Sequence, residues 1–185
     1  CNDGRLGIRE RLNLFQEVCH AVQHAHFKGI IHRDIKPSNI LVALVDGKPT
    51  PKVIDFGIAK AMDRSLTDQP ISTRGEQSLG APGYMSPEQL ARVPIDIDTR
   101  TDVFSLGVLL YELLVGALPF NITKLKEQGF EAVREATREL EPSRPSSRLN
   151  TIENLDGIVE ARRTDSGALR RQIRGDLDWI VMRAM

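Results

Sequence analysis

The chain has 185 residues, 41% of them apolar and 27% charged, and its 25 basic side chains balance its 25 acidic ones to a formal net charge of zero. That is the make-up of one ordinary soluble globular domain, and it removes the electrostatic case for nucleic acid or an anionic membrane as a partner. Two cysteines, Cys1 and Cys19, are too few for a disulfide framework and fit a reducing, cytoplasmic compartment.

From the N-terminus, the first fifteen residues are polar and charged and contain no apolar signal-peptide core. Ile8, Leu12, Phe15, Cys19, Val22 and His26 then recur at alternating steps of four and three, which predicts an amphipathic helix stopped at Lys28-Gly29. Ile40 to Val45 reads as a strand, Asp46-Gly47 as a turn and residues 52–54 as a returning strand. A loop of about thirty residues rich in Ser, Thr, Gly and Pro follows, a length that points to function. Residues 102–115 are apolar on almost every face, so they predict a buried axial helix ended by Gly116 and Pro119. Ser105 and Glu112 interrupt the apolar stretch, and it falls short of the roughly 20 residues that span a bilayer. Residues 123–140 predict a charged helix with Leu125, Val133, Ala136 and Leu140 inside. Residues 141–168 read as a mobile connector, and 169–185 return to helix around Leu177, Trp179 and Ile180. The chain opens on Cys and stops at Met185 inside a helical run, so both ends read as cut.

The chemistry concentrates in His32-Arg33-Asp34-Ile35-Lys36-Pro37-Ser38-Asn39 and Asp55-Phe56-Gly57. A hairpin that leaves from Asn39 and returns to Asp55 brings an amide oxygen and carboxylate oxygens to the same end, the hard donors Mg²⁺ takes along with water and phosphate oxygens. Lys36 offers a compact positive charge for a phosphate. Asp34 remains free of metal duty, able to orient a hydroxyl and accept its proton.

These residues resemble the eukaryotic-type serine/threonine protein kinases, and most closely their bacterial branch. His32–Asn39 is similar to the catalytic loop and Asp55-Phe56-Gly57 to the metal-binding motif. Gly80-Ala-Pro-Gly-Tyr-Met-Ser-Pro-Glu88 is similar to the end of the activation segment, with Ser86-Pro87-Glu88 for Ala-Pro-Glu. Asp102-Val-Phe-Ser-Leu-Gly107 is similar to the start of the central helix, whose Asp holds the catalytic-loop backbone. The resemblance runs from about residue 8 to the end. It implies an α+β, mainly α fold: a kinase C-lobe with a small β-hairpin and no N-lobe, one partial domain over 1–185. It implies Asp34, Lys36 and Asn39 as catalytic residues, and Lys36, Ser38, Asn39, Leu41 and Asp55 around ATP, with Leu41 beneath the adenine. Asn39 and Asp55 would hold Mg²⁺, with Mn²⁺ as an alternative. The protein partner would carry a Ser or Thr acceptor, because lysine two residues after the catalytic Asp marks the serine/threonine type. Arg33 marks the subclass controlled by activation-segment phosphorylation, with Thr67, Ser72, Thr73 and Ser78 as candidate acceptors.

Three departures stand against the family pattern. No Gly-x-Gly-x-x-Gly and no Val-Ala-Ile-Lys equivalent occurs, and only 31 residues precede His32, so the small lobe that completes the nucleotide pocket is missing. Ala81 replaces a Thr whose hydroxyl bridges the residues matching Asp34 and Lys36; losing such a partner costs about 1–3 kcal/mol. The Arg that pairs with Glu88 in the family would lie beyond Met185, so the expectation is a marginally stable chain.

The leading expectation is an enzyme: transfer of the ATP γ-phosphate to protein Ser or Thr in a longer parent, the isolated chain being inactive without the N-lobe. The parent itself is left open to membrane anchoring. The alternative is a catalytically inactive kinase-fold scaffold. A small-molecule phosphotransferase shares an Asp-x-x-x-x-Asn loop but lacks the Arg33–Lys36 arrangement and Ser86-Pro87-Glu88. His20, His24 and His26 share one helix face but have no carboxylate or cysteine to complete a metal set, and His32 reads as packing against Phe56. The arginines of 162–174 could bind an anionic partner, but they alternate with Asp165 and Asp176 and read rather as a solvated connector.

Overall fold

The computed structural model describes residues 5–56, 81–91 and 97–185. Helix α1 (Ile8–Phe27) leads through a 3₁₀ turn (Pro37–Asn39) into an antiparallel hairpin, β1 (Ile40–Val45) and β2 (Lys48–Val53). A second 3₁₀ turn (Pro82–Tyr84) and the short α2 (Pro87–Leu90) precede α3 (Thr99–Val115). Then come α4 (Ile122–Glu127), α5 (Phe130–Glu139), α6 (Pro145–Arg148), α7 (Leu155–Ala161), α8 (Ser166–Ile173) and α9 (Asp176–Ala184). The described residues are mainly helical with one two-stranded sheet, the architecture expected of the C-lobe.

Asp98 starts α3 by accepting the Arg100 amide proton, and Gly116, at φ 82°, ends it in the left-handed conformation that glycine adopts without penalty. Between those caps the helix is buried on most of its circumference. On one side Leu110, Tyr111, Leu114 and Val115 pack with Ile8, Leu149, Ile158, Leu169, Ile173 and Val181. On another, Leu109 joins Val18, Val22 and Ile35, with Ile40 and Val53 of the hairpin against them. α3 is thus the axis to which both the hairpin and the late helices are fixed. At Gly107 a Cβ would come within 2.9 Å of the Ala184 Cβ, so only glycine lets α9 approach this closely.

The hairpin register pairs Ile40 with Val53 and Val45 with Lys48, which leaves the two-residue turn Asp46-Gly47. Both turn residues have positive φ, 49° and 75°, the conformation that matches the twist of paired strands. The second strand begins at Lys48, four residues before the expected 52, because ladder bonds carry past Pro49 and Pro51.

Several expectations need correction. The buried face of α1 is Ile8, Arg11, Val18, Val22 and Ala25, with Leu12 and Phe15 only partly covered, so the helix is rotated from the apolar stripe. The predicted 123–140 helix is broken at Gly129 (φ 99°), and Leu140 is exposed while Val133 and Ala136 are buried. The segment 141–168 is not a bare connector: it holds α6 and α7, and Leu149 (1% exposed) and Ile158 enter the core. Its N-cap Asn154, which accepts the Gly157 amide proton, and Asp165, which accepts that of Ala168, start α7 and α8. The last stretch is two helices hinged at Gly175, and Trp179 lies on the surface.

Arg162 is not solvated either. At 2% exposure it donates to the Ile158 carbonyl (3.0 Å) and the Leu113 carbonyl (2.9 Å), and Arg11 donates to the Leu113 carbonyl from the other side (3.5 Å) and to that of Ala161 (3.2 Å). Two guanidiniums thereby cap the carbonyl ends of α3 and α7, where the helix dipoles are negative. Burial and the neighbouring Arg11 push the Arg162 guanidinium down to about 10.

Candidate functional site

The loop between α1 and β1 turns back sharply, and its peptide groups need partners. Asp102, in the first turn of α3 and fully buried, supplies them: its carboxylate accepts the His32 and Arg33 amide protons, both at 2.8 Å. The same carboxylate accepts from His26 Nε2 at 2.8 Å. Arg33 holds φ 65°, a conformation that costs a non-glycine residue about 1–3 kcal/mol. The Gln89 amide donates to the Arg33 carbonyl at 2.7 Å, so the strained residue is gripped through both its N–H and its C=O.

His32 fixes the other side of the loop. The Ile54 carbonyl can only accept, so Nε2 carries the proton in the 3.0 Å contact between them, and Nδ1 accepts the Asp34 amide proton at 3.3 Å. The ring lies 4.6 Å from that of Phe56, tilted by 41°. With both nitrogens engaged and no exposure to solvent, His32 is a packing residue, as the sequence suggested.

On this scaffold Lys36 Nζ donates to Asp34 Oδ2 at 2.7 Å, and Asn39 Nδ2 donates to the same oxygen at 3.1 Å and to the Asp34 carbonyl at 2.8 Å. With its nitrogen committed to Asp34, the Asn39 amide presents Oδ1 on its opposite side, where the Ser38 hydroxyl stands at 3.5 Å. The Ile54 amide donates to the Asn39 carbonyl at 3.0 Å and closes the base of the hairpin, placing Asp55 beside that end. Asp55 is exposed, at φ 56°, and among the described residues its carboxylate has no hydrogen bond or ion pair. An amide oxygen and an uncommitted carboxylate at the same end of a hairpin suit a small hard cation. Ser38 is at the surface, and Leu41 is 54% exposed on β1 opposite Lys52.

A polar network ties the segment after residue 80 to this loop. Thr101 Oγ1 donates to Glu88 at 2.6 Å, the Ser86 hydroxyl donates to Thr101 at 3.4 Å, and the Ser86 amide donates to Gln89 Oε1 at 3.1 Å. Glu88, expected to lack its partner, therefore has a hydroxyl donor. Tyr84 donates to Glu112 at 2.5 Å, and burial with that carboxylate pushes its phenol well above the ordinary range. Ala81 caps the 3₁₀ turn, while Asp34 and Lys36 pair directly. Gln89 and Thr101 escaped the sequence reading. Their one signal was position: a polar residue directly after Glu88, and a hydroxyl directly before Asp102. Gly57, Gly80, Thr67, Ser72, Thr73 and Ser78 lie outside the described residues.

Comparison with known proteins matches residues 2–163 to the family model described as a protein kinase domain. The chain is 41% identical over 138 residues to the serine/threonine-protein kinase Pkn1 of Myxococcus xanthus, covering 74% of this chain and 18% of that protein. It is 42% identical over 150 residues to pkn3 of the same organism (80% and 25%), and 37% identical over 158 residues to PknB of Mycobacterium leprae (85% and 23%). The chain thus spans about a fifth to a quarter of the length of these curated relatives.

Proposed function

Because the chain belongs to the protein kinase domain family, we propose that it forms the catalytic face of a bacterial serine/threonine protein kinase, which moves the γ-phosphate of ATP to a protein Ser or Thr in a longer parent. The observation that carries this reading is the convergence of Lys36 and Asn39 on the Asp34 carboxylate, on a loop whose backbone is clamped by Asp102. Asp34 orients the acceptor hydroxyl and takes its proton as the oxygen attacks phosphorus. Lys36, already 2.7 Å from Asp34, neutralises the phosphoryl oxygens as they pass between donor and acceptor. Asn39 Oδ1 and the Asp55 carboxylate would hold Mg²⁺ (or Mn²⁺), which when bound supplies charge neutralisation at the phosphates. Ser38 and Leu41 border the nucleotide, Leu41 beneath its base.

A protein acceptor is favoured over a small molecule by the Ser86-Pro87-Glu88 segment and its links through Gln89 to Arg33. Among the described residues no helix is long and apolar enough to cross a membrane. The balanced charge and the two cysteines support a cytoplasmic site for this segment.

Catalysis of this kind is positioning and electrostatics, so the isolated chain, which contains no glycine-rich loop, is inactive until a small lobe is supplied. The test is phosphate transfer from labelled ATP to a Ser/Thr protein by the parent and by its Asp34→Asn variant. Loss of about 10²–10⁴ in kcat with unchanged folding supports the reading; equal rates would sink it. Ala81 favours the second reading, an inactive scaffold, because it removes a hydroxyl the family uses beside Asp34 and Lys36. Magnesium-dependent nucleotide binding by this chain at micromolar concentration counts against the scaffold.

A further inference from the structure

α6, α8 and α9 border a cavity of about 560 Å³ that shares no residue with the site above. Arg144, the N-cap of α6, Arg170, in the last turn of α8, and Arg174, just past it, all line the cavity. Asp178 is the acidic residue of the lining, and its two oxygens are already taken by the Ser146 amide (2.9 Å) and hydroxyl (2.6 Å). Among the described residues none of the three arginines makes an ion pair, and the Nε of Arg170 is buried without a hydrogen-bond partner. Three guanidiniums against one committed carboxylate leave an excess of two positive charges in a concave space. Arg162, by contrast, is spent on helix carbonyls, so the arginine-rich run 162–174 divides into a buried cap and a cavity lining.

We propose that this cavity binds the phosphate of a phosphoserine or phosphothreonine polypeptide, with Arg144, Arg170 and Arg174 on the phosphate oxygens and Trp179 against the neighbouring residue. A phosphomonoester carries close to two negative charges at neutral pH and offers three strong acceptors, matching both the excess charge and the number of forked donors. A single carboxylate would leave one of those charges unmatched. The cavity extends beyond the arginines to Trp179 (68% exposed) and Met182, an apolar wall suited to the rest of a peptide. The choice of a polypeptide as carrier rests on the proposed transfer of phosphate to protein; the match to phosphate does not.

Trp179 is the single tryptophan of the 185 residues, so its emission reports on the cavity directly. The experiment titrates the chain, without ATP or Mg²⁺, with a phosphoserine peptide, its unphosphorylated twin and inorganic phosphate. The expected result is a saturable emission change with the phosphopeptide, at least about tenfold tighter than with the twin or with free phosphate. Arg174→Gln, at an exposed position that leaves the core intact, weakens binding about tenfold, whereas Arg171→Gln, exposed and outside the cavity, leaves it unchanged. Phosphate binding as tightly as phosphopeptide overturns the polypeptide assignment. No saturable change, or equal binding of the twin, overturns the site. A parent that transfers no phosphate while this chain still binds the phosphopeptide refutes the proposed function alone.

Discussion

Replacing Asp102 by Ala removes three hydrogen bonds at once, two of them to the backbone of the loop between α1 and β1. The His32 and Arg33 amides are left without an acceptor in a place water reaches poorly, and each such donor costs about 1–3 kcal/mol. Arg33 also loses one of the two contacts that hold its left-handed conformation. Relief of the buried carboxylate's own desolvation offsets part of this, so the expected destabilisation is about 3–5 kcal/mol. For a domain of this size that lowers Tm by roughly 6–20 °C. Urea unfolding of the chain and its variant measures the change, and hydrogen exchange at the His32 and Arg33 amides locates it. Asp102→Asn keeps one acceptor oxygen and should lose about half as much, because its NH₂ then faces a backbone donor. A loss below about 1 kcal/mol for Asp102→Ala, with unchanged exchange at those two amides, would refute the claim that this carboxylate holds the loop.

Ala81→Thr should raise kcat of the parent by up to about tenfold, less than a fully missing bridge would allow, because Asp34 and Lys36 already pair at 2.7 Å; steady-state kinetics reads the gain, and an unchanged rate would mean the direct pair suffices. Leu149→Ala should cost about 2–5 kcal/mol in urea unfolding, since the side chain is buried among Leu114, Ile158 and Leu169. A loss of only a few tenths would return 141–168 to the status of a loose connector. Burial pushes the Cys19 thiol up to about 11 from an ordinary 9.0, so in a Cys1→Ser background its reaction with a disulfide reagent at pH 8 should run roughly a hundredfold slower in the folded chain than in urea. The linkage has the same sign: the unfolded thiol ionises first, so this contribution to stability is intact below pH 9 and is lost as pH rises from 9 towards 11.

What lay open in the sequence was whatever depends on neighbours along the chain. The Asp46-Gly47 turn sets the hairpin register because both residues tolerate positive φ, and that register alone brings Asn39 and Asp55 to one end. Asp34, Lys36 and Asn39 were legible by residue type within one six-residue stretch, although their convergence on the Asp34 carboxylate was not. The apolar run ending at Gly116 declared α3 as the axis.

Other features required the tertiary fold. Gln89 reaches the Arg33 carbonyl across fifty-six residues, and no periodicity encodes which backbone group a distant side chain will find; the hold of Asp102 across seventy was legible only through the family resemblance. α6 and α7 are too short and polar to announce themselves, because short helices draw their stability from packing rather than propensity; Leu149 and Ile158 became core only when α3 and α8 arrived. The arginines make the point most sharply. In sequence the run 162–174 reads as one solvated surface, yet Arg162 is buried with Arg11 where helix carbonyls supply acceptors, while Arg170 and Arg174 face a cavity with an excess of positive charge. Residue type set the charge each one carries, and only the surroundings assembled by folding decided whether that charge would cap a helix or await an anion.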